Sequence, residues 1–339
     1  MKEFLSRVAR DLVERTNQQD GIMLKDHTAV FPNKRACLFF NQYLTDYITP
    51  PFWAPHYTTI SEIYLALSQL TVADKSLLVY YLYKAYVEVT KSEETFDQFY
   101  SWGEILLNDF EDIDNNMVDA KSLFINITDI EKLTNFDFID EEQEQVIRRL
   151  FNNFSTDAIT ELHKRYLHMW NAMSDIYHTF RSSLQKKGLA YDGMMKRTIA
   201  EQLKEGKDDG TLREIILSRY SHVSIVGFNV LNQTDKILFL FLRENCDVRF
   251  YWDYDDVYNK ANSPFEAGMF INENIRRFGN SLVNCPEIYQ GFREKKDIQF
   301  VAASTDNAQC QYVNEWLQKT LKADEPLNKT AVVLCDEQS

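Results

Sequence analysis

"VFPNKRACLFFNQYL" (Val30–Leu44) begins as a short apolar run and ends as a helix-like one, with Pro32, Asn33, Lys34 and Arg35 between them. A strand that empties through a polar, basic turn into a helix is the repeating step of α/β proteins, which place ligands at that turn. "TAVF" (28–31) reads as the buried strand and 33–48 as the helix, with Asn33 as its N-cap. "HYTTISEIYLAL" (56–67) repeats the step, with Ser61 as the cap.

Upstream, Phe4, Leu5, Val8, Leu12 and Val13 share one face of an amphipathic helix over 4–16. Downstream, from about 60 to 205, the pattern is helical. Segments 75–89, 96–113, 141–154, 158–188 and 191–206 follow the 3.6-residue period, and Gly188 caps the long one. After a polar break the rhythm becomes strand and helix again. Apolar runs at 222–228, 247–253, 298–304 and 330–336 are separated by helical stretches at 232–244, 264–278 and 306–322. Such alternation predicts an α/β fold with a mostly parallel, helix-covered sheet interrupted by a large helical insertion.

The expected organisation is a first part of the α/β lobe at 1–60, a helical inserted subdomain at 61–206, and the rest of that lobe at 207–295. Residues 296–339 then open a second α/β lobe. The last strand has no covering helix after it, so the chain is expected to continue in a longer parent.

Composition narrows the class. A chain of 339 residues with 45% hydrophobic and 14% aromatic residues folds around more than one small core. Its 10 glycines and 7 prolines favour long helices over an all-β chain. No apolar run approaches the roughly 20 residues of a membrane span. Five cysteines without a CxxC pair point to reduced thiols and a cytoplasmic protein. The formal charge of −14 is concentrated in one module. Between 91 and 145, sixteen Asp and Glu stand against three Lys, which leaves 35 acidic and 34 basic residues elsewhere. Overall acidity therefore does not argue against an anionic partner for the rest.

A helical subdomain inserted into such a sheet looks like a superfamily-1 helicase core, a RecA-like fold. A working motor needs G-x-x-x-x-G-K-[ST] to cradle phosphates. The one Gly-Lys pair, Gly206-Lys207, has Asp208 where a hydroxyl belongs. "SIVGFNVLNQTDK" (224–236) offers Gly227, Phe228 and Asn229 where a motor's strand ends in a metal-holding acid pair. ATP hydrolysis is therefore not expected. Asp253, Asp255 and Asp256 lack a lysine at nuclease spacing and read as a polar strand exit. "EDIDNN" (111–116) lacks the glycine and bidentate glutamate of a calcium loop, and reads as an acidic solvated or partner-facing surface.

The stretches "VFPNKRACLFFNQYL", "TISEI", "FDQFYSWGEILLNDFEDIDNNMVDAKSLF", "VSIVGFNVLNQTDKILFLFL" and "FYWDYDDVY", in this order, resemble the AddB-like helicase-nuclease family of Bacteroidetes. The resemblance implies a degenerate helicase-like half, with a Mg-dependent PD-(D/E)XK nuclease domain outside this chain. It also implies a role in processing DNA ends for recombinational repair, a helicase-nuclease partner subunit, and no cofactor within this chain.

In superfamily-1 proteins the loop after the strand corresponding to 28–31 touches single-stranded DNA, which makes Asn33, Lys34 and Arg35 candidate contacts, with Lys34 or Arg35 neutralising a phosphate. From their place at the next strand exits, Thr59 and Ser61 are candidates to hydrogen-bond phosphate oxygens, and Phe228 and Asn229 to offer a stacking face and an amide to a base. Each residue also has a local reading: Asn33 and Ser61 as caps, Lys34 and Arg35 as solvated charge, Phe228 as core. Two cations at the positive end of a helix dipole cost roughly 0.3–1 kcal/mol each, which favours an anion there. Two other function classes remain open at this stage, a scaffold that docks a helicase partner and an atypical nucleotide-binding enzyme.

Overall fold

The strand-helix rhythm is realised as a parallel sheet between two layers of helices. The computed structural model describes residues 4–18, 23–48, 51–124, 158–205, 210–259, 265–282, 285–320 and 330–334. Helix α1 (Phe4–Gln18) leads to β1 (His27–Phe31), α2 (Lys34–Thr45), β2 (His56–Thr59) and α3 (Ile60–Leu67). A helical stretch follows, made of β3 (Thr71–Val72), α4 (Lys75–Thr90), α5 (Phe96–Asn115), α6 (Ala158–Gln185), β4 (Leu189–Ala190) and α7 (Asp192–Glu205). The chain then runs through α8 (Thr211–Arg219), β5 (His222–Val226), α9 (Gln233–Asn245), β6 (Asp247–Tyr251) and α10 (Met269–Phe278).

Four strands pair in the order β2-β1-β5-β6, every neighbouring pair parallel. The period of two sends alternate residues to opposite faces. On one face Ala29, Phe31, Val226 and Tyr251 pack beneath α1 (Val8, Leu12) and α2 (Phe40, Leu44). On the other, Val30, Val223, Ile225 and Phe250 pack against α3 (Ile63, Tyr64) and α9 (Leu238, Phe239). Both faces are thus covered, as an all-parallel sheet requires. After β1 the chain turns into α2 on one face, and after β5 into α9 on the other. The junction of β1 and β5 is therefore the topological switch point, where open α/β sheets present their ligand crevice.

The helical stretch shares its core with the second sheet face, so Leu82, Phe99, Phe110 and Phe180 are continuous with Ile225 and Phe239. It is not wholly helical. Strands β3 and β4 form a parallel two-residue pair, too short for any sequence period to show. Helix α6 ends in a turn closed by Gly188 at φ +69, the left-handed conformation that glycine adopts without strain. The predicted helix at 141–154 lies outside the described residues, as do Gly206 and Lys207.

"EDIDNN" departs from its reading as a solvated acidic surface. Asp114 has no exposed surface and accepts hydrogen bonds from Tyr177 Oη, Tyr191 Oη, Arg181 Nη1 and, at 3.3 Å, Arg197 Nη1. One carboxylate thus ties α5 to α6 and α7. Close approach of α5 and α7 is made possible by Gly193, where a Cβ would lie 2.8 Å from the Glu111 carbonyl oxygen.

Residues 1–292 form one unit and 293–339 another. In the second, α11 (Asp306–Thr320) forms as expected. The predicted strands at 298–304 and 330–336 do not: 298–303 and 330–334 join no ladder, and Phe300 and Val333 are 94% and 85% exposed. The expected sheet of a second lobe is therefore absent among the described residues. An alternating apolar run becomes a strand only where a neighbour completes its hydrogen bonds. No helix among the described residues is long and apolar enough to cross a membrane.

Candidate functional site

Because the four strands are parallel, their carboxyl ends share one edge of the sheet. Asn33, Lys34 and Arg35 follow β1, Thr59 and Ser61 span the β2–α3 step, and Phe228 and Asn229 follow β5. The fold brings all seven positions to that edge, on three adjacent strands.

Asn33 has extended backbone (φ −150), and its side chain accepts the Ala36 N–H at 3.1 Å, the N-cap expected of it. This cap places Lys34 and Arg35 in the first turn of α2. Next door the cap is Thr59 rather than Ser61. Thr59 Oγ1 accepts the Glu62 N–H at 3.3 Å, and Glu62 Oε2 accepts the Thr59 N–H at 2.9 Å, a reciprocal capping box. Helix α3 thus starts at Ile60, and Ser61 is an exposed residue of its first turn. The Thr59 hydroxyl, in a residue only 8% exposed, is already committed to the cap.

Glu62 has a second partner. Its Oε1 lies 2.7 Å from Lys34 Nζ, joining the β1 and β2 turns. The Lys34 ammonium and the Thr59 N–H together hold the Glu62 carboxyl down at about 2, and Glu62 in turn raises Lys34. The Lys34 and Glu62 side chains are 79% and 38% exposed, so the pair contributes little to stability. Arg35 is exposed and has no ion pair among the described residues. Among the described residues, therefore, only Arg35 of the two adjacent cations is left uncompensated at this turn.

Phe228 gives its ring to the core. It is 6% exposed and packs edge-on to Phe239 at 5.4 Å, which leaves no face for a base. Asn229 beside it is exposed. Its carbonyl accepts from buried Asn274 Nδ2 at 2.7 Å, which fixes the loop while leaving the Asn229 amide outward. Gly227, at φ +73, makes the turn by which the chain leaves β5 ahead of both residues.

Beneath this edge, Asp235 in the first turn of α9 is desolvated, and burial pushes its carboxyl up to about 6. Its Oδ1 and the Tyr64 hydroxyl are buried without a hydrogen-bond partner among the described residues. In the loop after β6, Asp255 accepts the Val257 and Phe292 N–H groups at 2.9 and 2.7 Å. Among the described residues no three His, Cys, Asp or Glu side chains converge on a point that could hold a metal ion. A groove of about 680 Å³ runs along the α3 side of β1 and β2. Its lining runs from Lys25, His56 and Arg219 at the amino end to Glu62 at the carboxyl end.

Sequence reasoning missed Glu62 and Asn274. The first was visible as Thr-x-x-Glu in "TISEI", the capping-box pattern. The second had no local signal. No protein-family model matches this chain, and no curated protein matches it.

Proposed function

We propose that the carboxyl edge of the sheet binds the backbone of single-stranded DNA, and that the chain is the non-catalytic, helicase-like part of an AddB-type enzyme that processes DNA ends. The observation that carries this reading is Arg35, exposed and unpaired among the described residues, in the first turn of α2 beside the topological switch point. A guanidinium there opposes the helix dipole until an anion arrives, and the helix N-terminus adds N–H donors to the same anion. Arginine also meets phosphate in a bidentate fork that lysine does not form. The outward Asn229 amide, one strand away, suits a base or sugar edge rather than a phosphate. Asn229 also carries no charge for a metal and no basicity for activating water, in keeping with a binding role.

The test is fluorescence anisotropy with a labelled oligothymidylate. Wild-type protein is expected to bind, and Arg35→Ala to bind several-fold more weakly with an unchanged thermal midpoint. Equal affinity of the two proteins contradicts the reading.

A further inference from the structure

Resting on that reading of the edge, we infer that Glu62 is its specificity-determining residue, an internal stand-in for phosphate that holds Lys34 and the start of α3 against compact polyanions. Three contacts support this. Glu62 Oε1 takes the Lys34 ammonium at 2.7 Å, and Oε2 takes the Thr59 N–H at 2.9 Å and the Thr58 hydroxyl at 3.3 Å. Cation, backbone N–H and hydroxyl are the donor set that binds a phosphate group at a strand-to-helix turn. Here a side chain of the same protein already fills it.

The consequence is selectivity. A single strand presents one negative charge per nucleotide, and a lone arginine can hold one of them. A triphosphate concentrates its charge, needs several donors at once, and meets the Glu62 carboxylate where it needs a cation. Repulsion of the wrong ligand is as effective a discriminator as attraction of the right one. Glu62 also lines the upper end of the groove beside β2, so its charge faces any anion entering from that side.

Glu62→Gln isolates the charge, because glutamine serves equally well as the third residue of a capping box and α3 should keep its start. The probes are oligothymidylate and inorganic tripolyphosphate, at about 50 mM salt, where backbone contacts are strongest. Glu62→Gln is expected to bind the oligonucleotide several-fold more tightly, with a log–log salt slope steeper by about 0.7 for one added phosphate contact. Tripolyphosphate affinity should rise by a larger factor. Lys34→Ala should be nearly silent in the wild-type background and should remove the gain in the Glu62→Gln background.

If Lys34→Ala costs the same affinity in both backgrounds, the two residues are uncoupled and Glu62 gates nothing. If Arg35→Ala weakens binding while Glu62→Gln changes neither probe, the gate is wrong and the phosphate-binding edge stands. If neither wild type nor Glu62→Gln binds the oligonucleotide, both fall.

Discussion

Two carboxylates in this chain, Asp114 and Glu62, each accept from cations and from neutral donors, yet they do opposite things. Asp114 is wholly buried between three helices, with Arg181, Arg197, Tyr177 and Tyr191 around it. Glu62 sits at the sheet edge with Lys34, and both side chains see water. Water decides the difference. Burial leaves the Asp114 carboxylate uncompensated in a poor dielectric when a partner is lost, whereas solvent replaces the partners of Glu62 at little cost. The same chemistry is structural in the helical region and exchangeable at the edge, and an exchangeable site is where a ligand can compete.

The sharpest way to break this comparison is Asp114→Ala. It leaves Arg181 without a carboxylate among the described residues, while Arg197 keeps Glu201 at 2.7 Å, and should cost about 3–5 kcal/mol in urea unfolding. Glu62→Gln should move the midpoint hardly at all. Similar losses at the two positions would erase the distinction between them.

Two buried groups of opposite sign give the next largest effects. Asp235 titrates at about 6 in the fold against 3.8 in a free side chain, mainly because it is buried, with Lys196 opposing the shift and Asp192 adding to it. Between those values the native state holds the extra proton, so stability falls as pH rises through the window. Asp235→Asn should therefore gain up to about 3 kcal/mol at pH 7 and little at pH 4. His27 is depressed from 6.5 to about 4 by burial first, then by the neighbouring His222 and Arg15. Here the unfolded chain holds the extra proton, so stability falls as pH drops through the same window. His27→Phe should remove up to about 3 kcal/mol of acid sensitivity. In wild type the two slopes oppose each other. Measured relative to wild type from pH 4 to 6, the stability of Asp235→Asn should rise with pH and that of His27→Phe should fall. Parallel profiles for all three proteins would contradict both assignments.

The architecture was legible because its signals are local. The strand at β1, the Asn33 cap and the helices α4, α5 and α11 follow from period and capping alone. The choice between Thr59 and Ser61 as cap was not, since both are cap-forming and the end of β2 decides. Strands β3 and β4 are two residues each, below any readable period. The run at 298–304 has a strand's pattern but pairs with no neighbour among the described residues. Long-range partners were invisible for the same reason. Nothing near Lys34 announces Glu62, and nothing in an acidic run marks Asp114 as the residue that turns inward. Phe228 was ambiguous in sequence because a core ring and a stacking ring are the same residue.

Smallest in free energy, and closest to the central claim, is the salt dependence of oligothymidylate binding to wild type and Arg35→Ala. Lys34 is already held by Glu62, so the two proteins should differ by one phosphate contact rather than two. The account predicts that Arg35→Ala flattens the log–log slope by about 0.7 and weakens binding at every salt concentration tested. A variant whose slope and affinity match wild type would leave Arg35 as solvated surface charge and the carboxyl edge without a phosphate to bind.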